Sequence, residues 1–185
     1  MSTLVIMNAQ QKCESKSSDL SAIRDSLEGI GVRFSQWPAQ SLGAGADQDL
    51  VLKTYAKEIE ALNGEYGFNK VDVVSLAPDN PDKAAFRQKF LAEHTHADFE
   101  VRFFVHGTGI FYLHVGGKVY CLFCEQNDLI SVPANTTHWF DMGSNPEFTC
   151  IRFFTKDEGW VGDFTGSDIA SKYPDYDSFV AEYRQ

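Results

Sequence analysis

Hydrophobic spacing divides the chain in two. Before residue 94 it switches between a helical period and a strand period; from Phe99 to Phe154 the strand signal is almost continuous. In the first half, residues 3–7 predict a strand and the polar residues 10–17 a loop. Leu20, Ile23, Leu27 and Ile30 recur one helical turn apart behind a Ser18-Asp19 cap, with Gly29 and Gly31 as the stop. Residues 32–37 predict a short strand. After a small-residue loop, Val51, Tyr55, Ile59 and Leu62 stripe one helix from about Gln48 to Asn63, with Gly64 at its end. Residues 71–76 are a strand. Asn80-Pro81 opens a third helix carrying Phe86 and Phe90, which leads to His94.

The second half predicts strands over residues 101–105, 110–115, 119–123, 129–132, 138–142 and 148–154. Gly107-Thr108-Gly109 and Gly116-Gly117 are hairpin turns, the latter of the two-residue length that favours tight hairpins. Short strands at this spacing indicate an antiparallel sandwich or barrel. A short helix is expected near residues 177–183. The fold class is therefore mainly β with peripheral helices. With 185 residues and no repeat or low-complexity linker, one domain is expected. It would have a mixed α/β part over 1–93, a β core over 94–154 and a C-terminal tail over 155–185.

Composition narrows the function. Hydrophobic residues make up 43% of the chain, too many for a disordered protein, and the 15 Phe suit a barrel or sandwich interior. A formal charge of −10 argues against nucleic-acid binding by phosphate neutralisation, while leaving room for a small anionic substrate in a locally positive pocket. No apolar run reaches transmembrane length, and residues 1–7 lack the basic region and long apolar stretch of a secretory signal. A cytoplasmic protein without a membrane partner is expected. Cys13, Cys121, Cys124 and Cys150 are then reduced. Cys121 and Cys124, three apart on a strand, point to opposite faces and behave as small buried hydrophobes. The acidic surface and the absence of an extra apolar helix point to a monomer.

The candidate chemistry lies in His94-Thr95-His96-Ala97-Asp98-Phe99-Glu100, with His138 arriving after a polar loop. His94 and His96 leave the same face of a strand. On a straight strand the Cα atoms of His96 and Glu100 would stand roughly 13 Å apart, so convergence needs a bend, expected at Ala97-Asp98. Three imidazoles and a carboxylate suit Fe, Ni, Mn, Co or Zn, one ion per chain. On an octahedral ion they leave neighbouring positions open for a chelating substrate. Arg102 shares Glu100's face and can hold a substrate oxyanion or form a salt bridge. Arg152 is a second candidate anion contact, or an outward-pointing charge. Phe140, on His138's face, and Trp160 are candidate pocket walls, with plain packing as the alternative for each. Glu93 alternates away from His94. His106 and His114 read as surface or packed residues. Asp98 can orient a ligand histidine.

These residues resemble the two-motif signature of the cupin superfamily: His94-Thr95-His96, then Glu100, then Gly107, followed by Pro133-Ala134-Asn135-Thr136-Thr137-His138. Asn127 and Asn135 stand where that superfamily has glycine, and asparagine tolerates positive φ. Glu100-Val101-Arg102-Phe103-Phe104-Val105, residues 127–134, His138-Trp139-Phe140-Asp141-Met142-Gly143, Glu158-Gly159-Trp160 and residues 164–170 resemble the bacterial acireductone dioxygenase family. The resemblance implies a cupin barrel or jelly roll and a metal-dependent enzyme of methionine salvage. His94, His96, Glu100 and His138 would be the ligands of Fe(II) or Ni(II). The substrates would be O2 and 1,2-dihydroxy-3-keto-5-methylthiopentene. The products would be 2-keto-4-methylthiobutyrate and formate with Fe(II), or 3-methylthiopropionate, formate and CO with Ni(II). A different cupin dioxygenase or isomerase, or a metal-bound binding protein without catalysis, would share the ligands.

Overall fold

The computed structural model describes residues 1–40, 42, 46–156 and 161–184. In chain order its elements are β1 (Thr3–Met7), β2 (Cys13–Ser17), α1 (Leu20–Glu28), β3 (Arg33–Gln36), α2 (Gln48–Thr54), α3 (Ala56–Tyr66), β4 (Lys70–Leu76) and α4 (Lys83–Leu91). There follow β5 (His94–Thr95), β6 (Glu100–Gly107), β7 (Gly109–Val115), β8 (Lys118–Cys124), β9 (Asp128–Val132), β10 (His138–Asp141), β11 (Phe148–Phe154), β12 (Asp163–Phe164), a 3₁₀ turn (Ile169–Lys172) and α5 (Tyr176–Tyr183).

The strands form two antiparallel sheets, a seven-stranded one in the order β12-β5-β10-β7-β8-β1-β2 and a five-stranded one in the order β3-β9-β6-β11-β4. Leu4, Phe111, Leu113, Leu122 and Phe140 of the first sheet pack with Phe34, Phe104, Ile130, Val132 and Cys150 of the second. This is the sandwich core. The outer faces are covered too. The tail lays Tyr173, Phe179 and Val180 on Met7, Tyr112, Val119 and Trp139 of the seven-stranded sheet. Val51 and Tyr55 of α2–α3, with Leu62 and Phe68, cover Val101, Phe103, Leu129 and Phe153 of the five-stranded sheet. A strand buried on both faces loses its polar alternation, which is why the second half reads as nearly unbroken apolar sequence.

Cys121 faces the outer cluster and Cys124 the inner one, as strand alternation requires. Gly107, Gly116 and Gly117 take positive φ at the hairpin turns. So do Asn127 at 77° and Asn135 at 61°, the two positions where asparagine stands for glycine.

Three elements depart from expectation. Residues 13–17 are not loop but the exposed edge strand β2, whose polar side chains hide the signal. The helix expected from Gln48 to Asn63 is two helices. Tyr55 breaks it with φ −100° and ψ 17°, and its buried ring packs on Phe103 at 4.8 Å. Gly64 does not end α3; it lies within it, and the left-handed terminator is Gly67, φ 69°, whose N–H donates to Asn63 O.

Candidate metal centre

The four candidate ligands meet at the seam between the sheets. His94 in β5 pairs directly with His138 in β10, so both belong to the seven-stranded sheet. Glu100 opens β6 in the five-stranded sheet. His96 sits in the segment that crosses between them, where Ala97-Asp98 bends as expected and Asn135 N–H ties the His96 carbonyl at 2.8 Å. All four side chains are buried, and one potential ligand atom from each lies within 4.8 Å of the others. The His94 ring is 4.8 Å from that of His96 and 4.5 Å from that of His138.

Each of the three clustered histidines spends Nδ1 on a backbone carbonyl: His94 on Ala92 O at 2.7 Å, His96 on Val161 O at 2.8 Å and His138 on Thr136 O at 2.7 Å. A carbonyl can only accept, so each Nδ1 carries the proton and each Nε2 is left to face the site. His96 Nε2 and His138 Nε2 stand 3.0 and 2.9 Å from Glu100 Oε2. Two lone pairs that close to a carboxylate need a cation between them, a proton or a metal. Glu100 Oε1 is buried, and Arg102 Nε lies 2.7 Å from it as an ion pair. The residues therefore fit one divalent ion of intermediate hardness, with nitrogen and oxygen donors and no thiolate.

The electrostatics agree. Burial pushes the His94 imidazole down to about 4, against the pull of its Ala92 bond, which keeps it neutral. Burial works against charge on His96 too, but the hydrogen bond and charge of Glu100 outweigh it and raise its pKa. Burial would raise Glu100, yet the Arg102 charge and the bonds from His138 and His96 hold it well below the usual carboxylate range.

The flanking candidates fall in different places. Arg102 is buried behind Glu100, its guanidinium 4.8 Å from the centre of the Phe140 ring and 5.5 Å from that of Phe111. Phe140 is likewise buried, packed on Phe111 at 5.0 Å, and forms a floor under Arg102. Arg152 pairs in register with Arg102, so the two share a face, and Asp72 holds it through two bonds of 2.8 and 2.9 Å. It does not point outward into solvent as a bare charge. Trp160 lies outside the described residues. Asp98 accepts from Thr155 Oγ1 and the Phe99 N–H, while the Nδ1 atoms of His94, His96 and His138 go to backbone carbonyls. His106 is exposed beside Glu147. Cavities of about 510 and 300 Å³ near His106 and Glu147 lie at the other end of β6 from the ligands.

Sequence reasoning missed the segment that closes the site from the C-terminal side. Val161 supplies the His96 carbonyl, and Phe164 in β12 pairs with His94, its ring 5.7 Å away. Both contacts span more than sixty residues of chain, as in Val161 to His96 with a separation of 65, so no local pattern announces them.

Comparison with known proteins places this geometry in context. The family model described as the ARD/ARD' family matches residues 6–162. An acireductone dioxygenase of Marinobacter nauticus is 54% identical over 182 residues, spanning 97% of this chain and 98% of its own length. One from Hydrogenobaculum is 52% identical over 182 residues, with 98% and 100% covered. Among solved structures, the acireductone dioxygenase from Bacillus anthracis, with a cadmium ion in its active center, superposes with a TM-score of 0.80. It is 28% identical and covers 89% of this chain and 98% of its own.

Proposed function

This chain belongs to the ARD/ARD' family, and from that premise we propose that it is a metal-dependent acireductone dioxygenase whose metal ligands are His94, His96, Glu100 and His138. The substrate is 1,2-dihydroxy-3-keto-5-methylthiopentene, cleaved with O2 in methionine salvage. Fe(II) gives 2-keto-4-methylthiobutyrate and formate; Ni(II) gives 3-methylthiopropionate, formate and CO. The observation that carries the reading is the buried cluster in which every histidine Nδ1 is committed to a carbonyl, so that three Nε2 atoms and one carboxylate converge.

A metal ion held there supplies a Lewis acid at which an enediol can chelate through two oxygens. The chain's own residues do the rest. The three carbonyl bonds fix the imidazole planes before any ligand arrives, so little reorganisation accompanies binding. Arg102 holds Glu100 ionised and in place. Arg152, steadied by Asp72, stands on the same face and is the proposed contact for substrate negative charge, together with Arg102. Phe140 is proposed to bound the apolar methylthio end.

The 1–93 and 155–185 parts belong to one cupin domain with the 94–154 core in this reading, since both contribute strands to the seven-stranded sheet that carries His94 and His138. No helix among the described residues is long and apolar enough to cross a membrane. A cytoplasmic monomer is the proposed working state. Oxygen uptake by the Fe-loaded protein on synthetic acireductone tests the function: stoichiometric uptake with formate release is expected. Metal-loaded protein that consumes no oxygen would point instead to an isomerase or a non-catalytic binding protein.

A further inference from the structure

Glu93 precedes the first ligand histidine, just ahead of β5, and its side chain turns away from that of His94 toward His114. There it is buried. Its Oε1 accepts from His114 Nδ1 at 2.8 Å and its Oε2 from Thr165 Oγ1 at 2.6 Å. A carboxylate cannot donate, so His114 carries its proton on Nδ1. The backbones are joined as well, Thr165 N–H donating to the Glu93 carbonyl at 3.1 Å.

Thr165 ends a strap, residues 161–165, that contains β12. The strap touches two ligands on its other side. Val161 O accepts a hydrogen bond from His96 Nδ1 at 2.8 Å, and Phe164 lies against His94. Little apolar burial holds this strap down. Val161 is 72% exposed and Phe164 50%, and β12 gives the sheet edge a strand of 2 residues. The buried carboxylate is the strong anchor, because hydrogen bonds to a charged acceptor in a dry site are worth more than neutral ones.

We propose that Glu93 is a positioning residue for the metal centre. Through Thr165, and braced by His114, it latches the 161–165 strap so that the Val161 carbonyl fixes the ring plane and tautomer of His96. The inference rests on the reading of the His94–His96–Glu100–His138 cluster as a metal centre.

The test uses the full chain, metal-free and Co(II)-loaded, with Thr165→Val, Thr165→Ser and Glu93→Gln. In metal-free protein, amide exchange over residues 161–165 should quicken about tenfold in Thr165→Val, the order expected for losing a bond to a charged group. In the Co(II) form, the paramagnetically shifted Nδ1–H signal of His96 should exchange with solvent about tenfold faster. The His138 signal should hold its rate, since its carbonyl partner, Thr136, lies outside the strap. Thr165→Ser, which keeps the hydroxyl, should match the parent. Glu93→Gln, which replaces the charged acceptor by a neutral amide, should give a smaller increase with the same selectivity.

Unchanged exchange in Thr165→Val overturns the latch, as does equal acceleration of all the imidazole signals, which marks general loosening. A parent that takes up no Co(II) overturns it together with the metal reading. A parent with the selective effect intact but no oxygen consumption when Fe-loaded overturns the dioxygenase reading and supports the latch.

Discussion

Substituting a single ligand separates metal binding from folding. His96→Ala should lose both bound metal and oxygen consumption, read by metal analysis of the purified variant; full metal occupancy would show that the ligand set is misassigned. Arg102→Met tests the charge behind Glu100. Removing one partner of a buried ion pair costs about 3–5 kcal/mol, so metal-free protein should unfold at distinctly lower urea. The metal-loaded form should lose less, because the ion then neutralises Glu100. Acid should release the metal through His96. Burial opposes its charge but Glu100 outweighs it, so the folded pKa is raised and a proton competes with metal as pH falls through that raised value. His94, pushed down to about 4 by burial, competes only at much lower pH. Affinity measured against a chromophoric chelator should therefore be nearly flat above the titration of His96 and fall below it. At this scale the grouping of the first three candidate ligands was legible, because strand alternation and one bend bring them together within a short segment. The carbonyl that orients His96 was not, because Val161 acts through its backbone, which carries no residue-type signal.

Among the elements, the α3 terminus offers a paired test of opposite sign. Gly67 holds φ 69°, where an added Cβ is strained; Gly67→Ala should cost about 1–2 kcal/mol. Gly64 lies inside α3 with open space around it, and Gly64→Ala should gain about 0.5–1 kcal/mol. Equilibrium denaturation of the two variants reads both signs. Had Gly64 been the helix stop, the order would be reversed. The stripe Val51, Tyr55, Ile59, Leu62 forecast helix correctly but not the break at Tyr55, which is made by where that ring finds Phe103. The short strands were unreadable for a different reason. β5 and β12 are 2 residues each, too short to show any period, and β2 is a polar edge whose partner, β1, alone defines it.

For the molecule as a whole, the tail after Pro174 acquires a role. Buried Asp141 accepts from Arg87 Nε and Nη2, from Gly143 N–H and from Tyr176 N–H, which ties α4, β10 and the start of α5 to one carboxylate. Phe179 is then laid on the outer face of the seven-stranded sheet, stacked on Phe123 with centroids 6.4 Å apart. Phe179→Ala should cost about 3–5 kcal/mol, measured by denaturation, while leaving metal content unchanged because the site lies between the sheets. The sequence by itself determined the mainly β class, the bend at Ala97-Asp98, the tolerance of positive φ at Asn127 and Asn135, and the grouping of the candidate donors His94, His96 and Glu100. Each of these depends on residue type and short-range spacing, which the chain carries before it folds. The tertiary structure alone decided which elements cover the two outer faces, that Arg102 stands behind Glu100, and that the 161–165 strap reaches His96 and is latched by Glu93. Those depend on contacts between distant segments, whose partners are chosen by packing and by the need to satisfy buried polar groups, and neither quantity exists in the unfolded chain.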